Sequence, residues 1–389
     1  MPNIPNSLPL GTSKQIPAKF PIGKVDTSLP ENYDAFRVLD PDTNSPDGQI
    51  YLTTLPPRYV GQTLANNPDG WAECLFYLTQ QKRGIISTPG FPSLIARPPR
   101  VRHRIGPSRF GNGMFATRDI KMGELVISPI HTPQPHRRSL KEDSEDFVGR
   151  LEPQNREAFF KLHNSHTEDG SGPIFGRIRT NGIAILDDVP EEQKAAGDLG
   201  CTGVFNEISY LNHSCTPNVT YKFFRKSLSL AVRALRDIKK DEELFMSYCI
   251  INEPTAQRQK QLKSYGFQCT CLVCSDPTSD DLLVRIRANS SINWDDSSLD
   301  PVAHAETWIA EMEALGWQEL SEYGLYLSIA KTGAMAANDS AKHRWYQDRH
   351  EAWMEGMYGE RVKIRLFAPG PGLTTADDMK AFMESLQHK

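Results

Sequence analysis

The sequence predicts an α+β chain, and three observations predict it. Short apolar runs separated by glycine turns fill RHRIGPSRFGNGMFATRDIKMGELVISPI from Arg102, the texture of short twisted strands. That texture returns in NGIAILDD and GCTGVFNEISYLNHS, while LSLAVRALRDIKKDEELFMSY reads as two strands joined by a charged turn. Between and beyond these stretches the apolar period changes to that of helices.

Taken in order, residues 1–100 hold 15 of the 28 prolines together with PDTNSPDG and NNPDG turns. Proline at that density removes backbone donors and fixes φ, so long regular elements are excluded. An extended, partly ordered arm is expected there, with one helix around Trp71–Gln81. Strands follow over 101–250, interrupted by a helical insert at 129–200. Within that insert Phe147, Leu151, Phe159, Phe160 and Leu162 recur at roughly helical spacing, with Pro153 breaking the run. From 279 to 389 the chain is expected to be helical. PVAHAETWIAEMEAL is its clearest helix: Asp300 can cap it, Pro301 suits its first turn and Gly316 its stop. Val302, Ala305, Ile309, Met312 and Leu315 share one face. Further helices are expected near 318–333, 334–339 and 341–358, as a hairpin array or a plain bundle, and GLTTADDMKAFMESLQHK as a short helix or tail. No exact internal repeat is found.

Composition excludes several classes of function. There is no run of 18 apolar residues, so no membrane span is expected. MPNIPNSLPLGTSK has neither a basic start nor an apolar core, which disfavours secretion and leaves cytoplasm and nucleus. The net charge of −4 argues against direct nucleic-acid binding, which needs clustered Lys and Arg. The seven cysteines, an odd number, fit a reducing compartment better than a disulfide scaffold.

Three motifs carry chemistry. CTCLVC at 269–274 is C-x-C-x-x-C, three thiols where structural zinc prefers four ligands. Cys74, Cys201, Cys215, Cys249 or a histidine could supply the fourth, and spacing does not choose among them. LNHSCTPN at 211–218 sets His213 beside Cys215, either a thiol with its base or two metal ligands. GNGMFA at 111–116 matches G-x-G-x-x-A, but no buried strand precedes it and no helix follows, so a dinucleotide site is rejected. A hairpin turn, or a turn that lets backbone approach another ligand, remains.

In their order, GNGMFATRDIKMGELV, LNHSCTPN, DEELFMSY and YGFQCTCLVC resemble the SET-domain methyltransferase family, above all the SET-and-MYND group and its fungal relatives. The resemblance covers about residues 101–276. It implies small curved sheets with a pseudoknot-like threading of the last strand, a SET domain at 101–250, a zinc-binding post-SET segment at 251–278 and a helical region at 279–389. It also implies S-adenosylmethionine as cofactor and a protein lysine as acceptor. Gly111, Asn112, Gly113 and Met114 would then contact the cofactor through backbone. Asn212 and His213 would hold its amino-acid and adenine portions, and Asn181 would add a polar contact at the methionine end. Tyr248 matches the catalytic tyrosine and joins the cofactor pocket, and Phe267 matches an aromatic near adenine and the lysine channel. Cys215, Cys269, Cys271 and Cys274 would hold one structural zinc, with Cys215 turned away from Asn212 and His213. Two departures stand out: no cysteine occurs in 129–200, so the MYND finger is absent, and Asp241 stands where the family often has glycine.

Methyl transfer to an amine needs the neutral base, although free lysine has a pKa near 10.4. A narrow, partly dry channel and an adjacent sulfonium both lower it, and aromatic walls such as Tyr248, Phe267 and Tyr210 suit a cationic alkylamine. Taken alone, Tyr248 reads as a structural tyrosine, His213 as a satisfied core histidine and Glu243 as a local hydrogen-bond or salt-bridge partner. Cys201 and Cys249 read as small buried hydrophobes. A protein-lysine methyltransferase acting as a monomer is the leading expectation. A non-catalytic SET scaffold and a methyltransferase of non-protein amines stay open.

Overall fold

The computed structural model describes residues 101–127, 153–185, 201–224, 229–290 and 300–359, residues 98, 148–149 and 151, and strands at 37–38, 50–55, 72–77 and 132–133. The chain divides into two compact units, one of 1–93, 130–163 and 169–204 and the other of 94–129, 164–168 and 205–389.

In the first unit β1 (Arg37–Val38), β2 (Ile50–Leu55) and β3 (Ala72–Tyr77) form an antiparallel sheet in that order. Within the stretch Trp71–Gln81, where a helix was expected, the described residues Ala72–Tyr77 are instead a strand. Its register runs unbroken from Ile50 opposite Tyr77 to Leu55 opposite Ala72. IYLTTL is rich in β-branched and aromatic residues, and a pairing partner of this kind overrides the weak helical preference of AECLFY. A second small sheet has the order β7 (Thr132–Pro133), β9 (Cys201–Val204), β8 (Gly182–Ile185). The insert supplies α1 (Pro153–Lys161) and α2 (Gly172–Asn181). Pro153 begins α1 rather than breaking it, since a first-turn position needs no N–H donor. Phe159 and Leu162 are buried and Phe160 is exposed, with the Arg177 guanidinium 5.4 Å over its ring. Phe147 lies outside the described residues.

The second unit holds β4 (His103–Ser108), β5 (Gly111–Ala116), β6 (Leu125–Ile127), β10 (Asn212–His213), β11 (Val219–Phe224), β12 (Ser229–Ala234) and β13 (Glu243–Met246). One sheet has the order β10-β13-β5-β4 and another β11-β12-β6. The late strand β13 enters between two earlier ones, parallel to β10 and antiparallel to β5. GNGMFA is thus itself a strand, and the turn expected within it lies at Arg109–Phe110, since Ser108 pairs with Gly111.

An approximate two-fold relation, unrecognised as a repeat in the sequence, organises this unit. ATRDIK (116–121) and ALRDIK (234–239) face each other through a bridge between Ile120 and Ile238. Lys121 Nζ reaches Asp237 at 2.6 Å and Lys239 Nζ reaches Asp119 at 3.3 Å. Gly123 N donates to Ala234 O, and Asp241 N donates to Ala116 O, both at 2.8 Å. Gly123 has φ +81° and Asp241, its counterpart, φ 65°. The non-glycine residue at 241 thus keeps the left-handed turn.

Helices complete the unit: α3 (Thr255–Leu262), α4 (Leu272–Ser275), α5 (Ser279–Ala288), α6 (Pro301–Leu315), α7 (Ser321–Ala336) and α8 (Ser340–Tyr358). The α6 boundaries are those read from sequence. Asp300 accepts from Val302 N and Ala303 N, and Gly316 ends the helix in the left-handed conformation. The separate helix expected at 334–339 is instead the end of α7 and a turn at Asn338, φ 58°. One hydrophobic core joins Cys215, Cys269 and Val273 to Leu283, Ile286, Trp308, Tyr326 and Trp353. The cysteine segment and the helices are therefore stabilised by common burial. Residues after 359 lie outside the described ones. Among the described residues no helix is long and apolar enough to cross a membrane.

Candidate active site and thiolate cluster

The ends of β10 and β13 lie side by side, with Asn212 opposite Phe245 and His213 opposite Met246, so LNHSC and MSYC leave the sheet together. Asn212 Nδ2 donates to Glu243 Oε1 at 2.8 Å and to Asn112 O at 3.1 Å. This draws GNGMFA against Asn212 through β5. Met114 is fully buried.

The His213 ring has different neighbours from those expected. Its Nδ1 accepts the Tyr248 N–H at 3.0 Å, which fixes the ring proton on Nε2, and Nε2 lies 3.3 Å from Cys215 Sγ. The expectation that Cys215 belongs to a site remote from His213 is thereby corrected: one imidazole spans the Tyr248 backbone and the Cys215 sulfur. Tyr248 itself donates its hydroxyl to Leu211 O at 2.5 Å. Burial, and then Tyr265, push its ionisation well above the ordinary tyrosine range, so it remains a donor at neutral pH. Rings cluster around it. Tyr265 lies 4.9 Å and His213 5.3 Å from Tyr248, and Phe267 lies 5.9 Å from His213 and 6.5 Å from Tyr265. Tyr265 was missed in the sequence, although Y-G-F at 265–267 signals it: Gly266 at φ +77° is the turn between the two aromatic residues. Tyr210 closes a short 3₁₀ turn at Ile208–Tyr210.

The sulfurs of Cys215, Cys269, Cys271 and Cys274 all lie within 4.8 Å of one another, and those of Cys215 and Cys274 are 3.6 Å apart. A tetrahedral zinc with Zn–S bonds near 2.3 Å needs sulfur–sulfur edges of about 3.8 Å. The donor set therefore fits that ion in number, type and spacing. Gln259 on α3 brackets Cys269, donating to its carbonyl at 2.8 Å and accepting its N–H at 3.0 Å. Hydrogen bonds from Cys215, Cys269 and Cys274 hold Cys271 far below the ordinary thiol range, whereas those from Cys249 and the other cysteines push Cys215 far above it. Arg258 is fully buried beside it, Nη2 lying 3.9 Å from Cys274 Sγ and 2.8 Å from Thr255 Oγ1. Four thiolates around one divalent ion leave two negative charges, and a buried guanidinium offsets part of that. Cys249, expected as a small buried hydrophobe, is half-buried with its sulfur 4.0 Å from that of Cys215.

Asn181 belongs to the other compact unit, where it ends α2 and donates to His163 O and Arg177 O, both at 2.8 Å. Asn218, the last residue of LNHSCTPN, is 1% exposed. Its Nδ2 donates to Glu243 O at 2.8 Å and Glu242 Oε1 at 3.2 Å, and its Oδ1 accepts Phe245 N at 2.8 Å. Arg258 and Asn218 carry no motif signal alone, because their roles depend on partners far along the chain.

The SET-domain family matches residues 111–249. The histone-lysine N-methyltransferase set5 of Schizosaccharomyces pombe is 31% identical over 166 residues, 42% of this chain and 47% of that protein. The N-lysine methyltransferase SMYD2 of Homo sapiens is 29% identical over 202 residues, 49% of this chain and 44% of that protein. The human histone-lysine N-methyltransferase SMYD1 is 28% identical over 202 residues, 49% of this chain and 38% of that protein. The chain thus spans less than half the length of these relatives. The match begins at the strand bracketed by Asn212 and ends at Cys249, beside Tyr248, and with a topology in which β13 threads between β5 and β10, residues 111–249 of this chain are a SET domain.

Proposed function

We propose that the chain transfers a methyl group from S-adenosylmethionine to the side-chain amine of a protein lysine. The observation that carries this is the convergence of Asn212, His213 and Tyr248 at the adjacent ends of β10 and β13, with the Tyr265 and Phe267 rings beside them. The names of the relatives, histone-lysine and N-lysine methyltransferases, support the reaction class. When bound, S-adenosylmethionine supplies an electrophilic methyl on a sulfonium. The backbone of Gly111, Asn112, Gly113 and Met114, with Asn212 and His213, would hold it.

This chain's own residues would do the remaining work by positioning. Tyr248 and Tyr265, with Phe267, form an aromatic wall that favours an alkylammonium entering through its π faces. Poor solvation within that wall lowers the lysine pKa toward the neutral, nucleophilic amine. Leu211 O and the Tyr248 hydroxyl, already joined at 2.5 Å, offer fixed dipoles where the amine gathers positive charge. Cys215, Cys269, Cys271 and Cys274 would hold a structural zinc with no position left for water, contributing to folding on the order of 10 kcal/mol. Its place in the chemistry is indirect: Cys215 receives the His213 N–H, and His213 holds the Tyr248 backbone.

The test is transfer from methyl-labelled S-adenosylmethionine to lysine peptide arrays and to a cell lysate, by wild type and Tyr248→Phe. Lysine labelling that falls at least about a hundredfold in the variant is expected if the hydroxyl aids the transition state. Unlabelled lysine with wild-type protein, or a variant as active as wild type, overturns the proposal.

A further inference from the structure

Glu243 was read from the sequence as a local hydrogen-bond or salt-bridge partner, and its surroundings give it a sharper role. Both partners of the Asn212 amide nitrogen, the Glu243 carboxylate at 2.8 Å and the Asn112 carbonyl at 3.1 Å, only accept hydrogen bonds. The amide therefore has one allowed orientation, because a flip would set Oδ1 against two acceptors. With both Nδ2 protons used, Asn212 offers the ligand side only Oδ1, for which no protein donor is found among the described residues. Glu243 is held in turn. Its Oε2 accepts from Ser108 Oγ at 3.0 Å, across the β4–β5 turn. Gly113 completes the arrangement: a Cβ there would lie 2.4 Å from Glu243 Oε1 and 3.1 Å from Asn212 Nδ2. The second glycine of GNG is thus required by this contact whatever it does for a ligand.

We propose that Glu243 is a positioning residue of the cofactor site: it locks the Asn212 amide so that its carbonyl selects a hydrogen-bond donor on the amino-acid portion of the ligand. The inference rests on the cofactor reading above. It assigns Glu243 no contact with ligand or reacting atoms, so its effect must pass through Asn212.

A double-mutant cycle separates this from a general structural role. Titration calorimetry with S-adenosylhomocysteine is run on wild type, Glu243→Ala, Asn212→Ala and the double variant, with melting temperatures recorded for each. Each single change is expected to weaken binding about tenfold, and the double variant to bind within about twofold of Asn212→Ala. Glu243→Gln, whose amide oxygen still accepts from Asn212, is expected to stay within about threefold of wild type. Additive losses, or Glu243→Ala that binds as wild type, overturn the proposal. A second readout needs neither variant nor ligand. In ligand-free wild type the two Asn212 side-chain amide protons should appear as distinct, slowly exchanging NMR resonances, and exchange at the rate of an exposed asparagine overturns the lock. Wild type that binds no S-adenosylhomocysteine while those protons remain protected overturns the cofactor reading and leaves the lock standing.

Discussion

Asn218 ties the end of LNHSCTPN to β13 with three side-chain hydrogen bonds, all within a buried site. Asn218→Ala should destabilise the protein by about 2–3 kcal/mol, since it strands Phe245 N and the Glu243 carbonyl without a partner. Denaturant unfolding checks this, and a loss below about 0.5 kcal/mol would show that water replaces the amide. Cys215 contributes at the same scale. If it completes a zinc site, Cys215→Ser should lower the bound zinc measured by atomic absorption from one equivalent to well under one half, because a hydroxyl is a far poorer ligand than thiolate. Melting should fall with it. Activity should follow only because His213 loses its sulfur partner and Tyr248 its backbone anchor. Full zinc retention in that variant would remove Cys215 from the ligand set.

At the scale of elements, the facing ATRDIK and ALRDIK segments show how two similar turns are built from different residues. Gly123 takes a left-handed turn at no steric cost, whereas Asp241 takes it with a Cβ. Asp241→Gly is therefore expected to stabilise the protein by up to about 1 kcal/mol, even though it removes the exposed Arg104–Asp241 ion pair, which is worth little. Thermal melts of the two proteins decide it, and a lower melting temperature for glycine would mean that the ion pair outweighs the strain. The helices behave more simply. α6 follows its cap and stop signals because both are local, whereas AECLFY becomes β3 because its partner lies some twenty residues earlier.

At the scale of the molecule, the helical region carries a buried pair of bases in its core. Lys331 Nζ lies 3.5 Å from His350 Nδ1, with both residues under 10% exposed and His350 stacked on Trp353. Burial, and then the neighbouring Lys331 charge, pull the His350 pKa from 6.5 down to about 3, while Glu351 acts on Lys331 in the opposite sense. Because the folded pKa lies below the unfolded one, this neutral histidine contributes stability that is present above pH 6.5. It is lost as pH falls from there toward 3, on the order of 3 kcal/mol by pH 4. Wild type should therefore lose stability between pH 7 and 4 more steeply than His350→Gln, measured by urea unfolding. Parallel curves for the two proteins would show that His350 does not titrate in this window.

Several local features were settled by sequence alone: the cap and stop of α6, the strand texture of 103–127 and 229–246, the tight C-x-C-x-x-C, and the order of motifs that identifies the SET domain. Those features depend on backbone chemistry and spacing, which no distant partner alters. Tertiary structure alone decided that AECLFY is a strand, that the GNGMFA turn lies two residues earlier, and that the two RDIK segments pair. It also decided that Arg258 sits against the thiols, that Tyr265 joins Tyr248, and that one imidazole lies between the Cys215 sulfur and the Tyr248 backbone. Most of these rest on contacts between residues from 16 to more than a hundred positions apart. A hydrogen-bond acceptor in the sequence names no donor until the fold brings one within 3 Å, and Glu243 beside Asn212 is the clearest instance here.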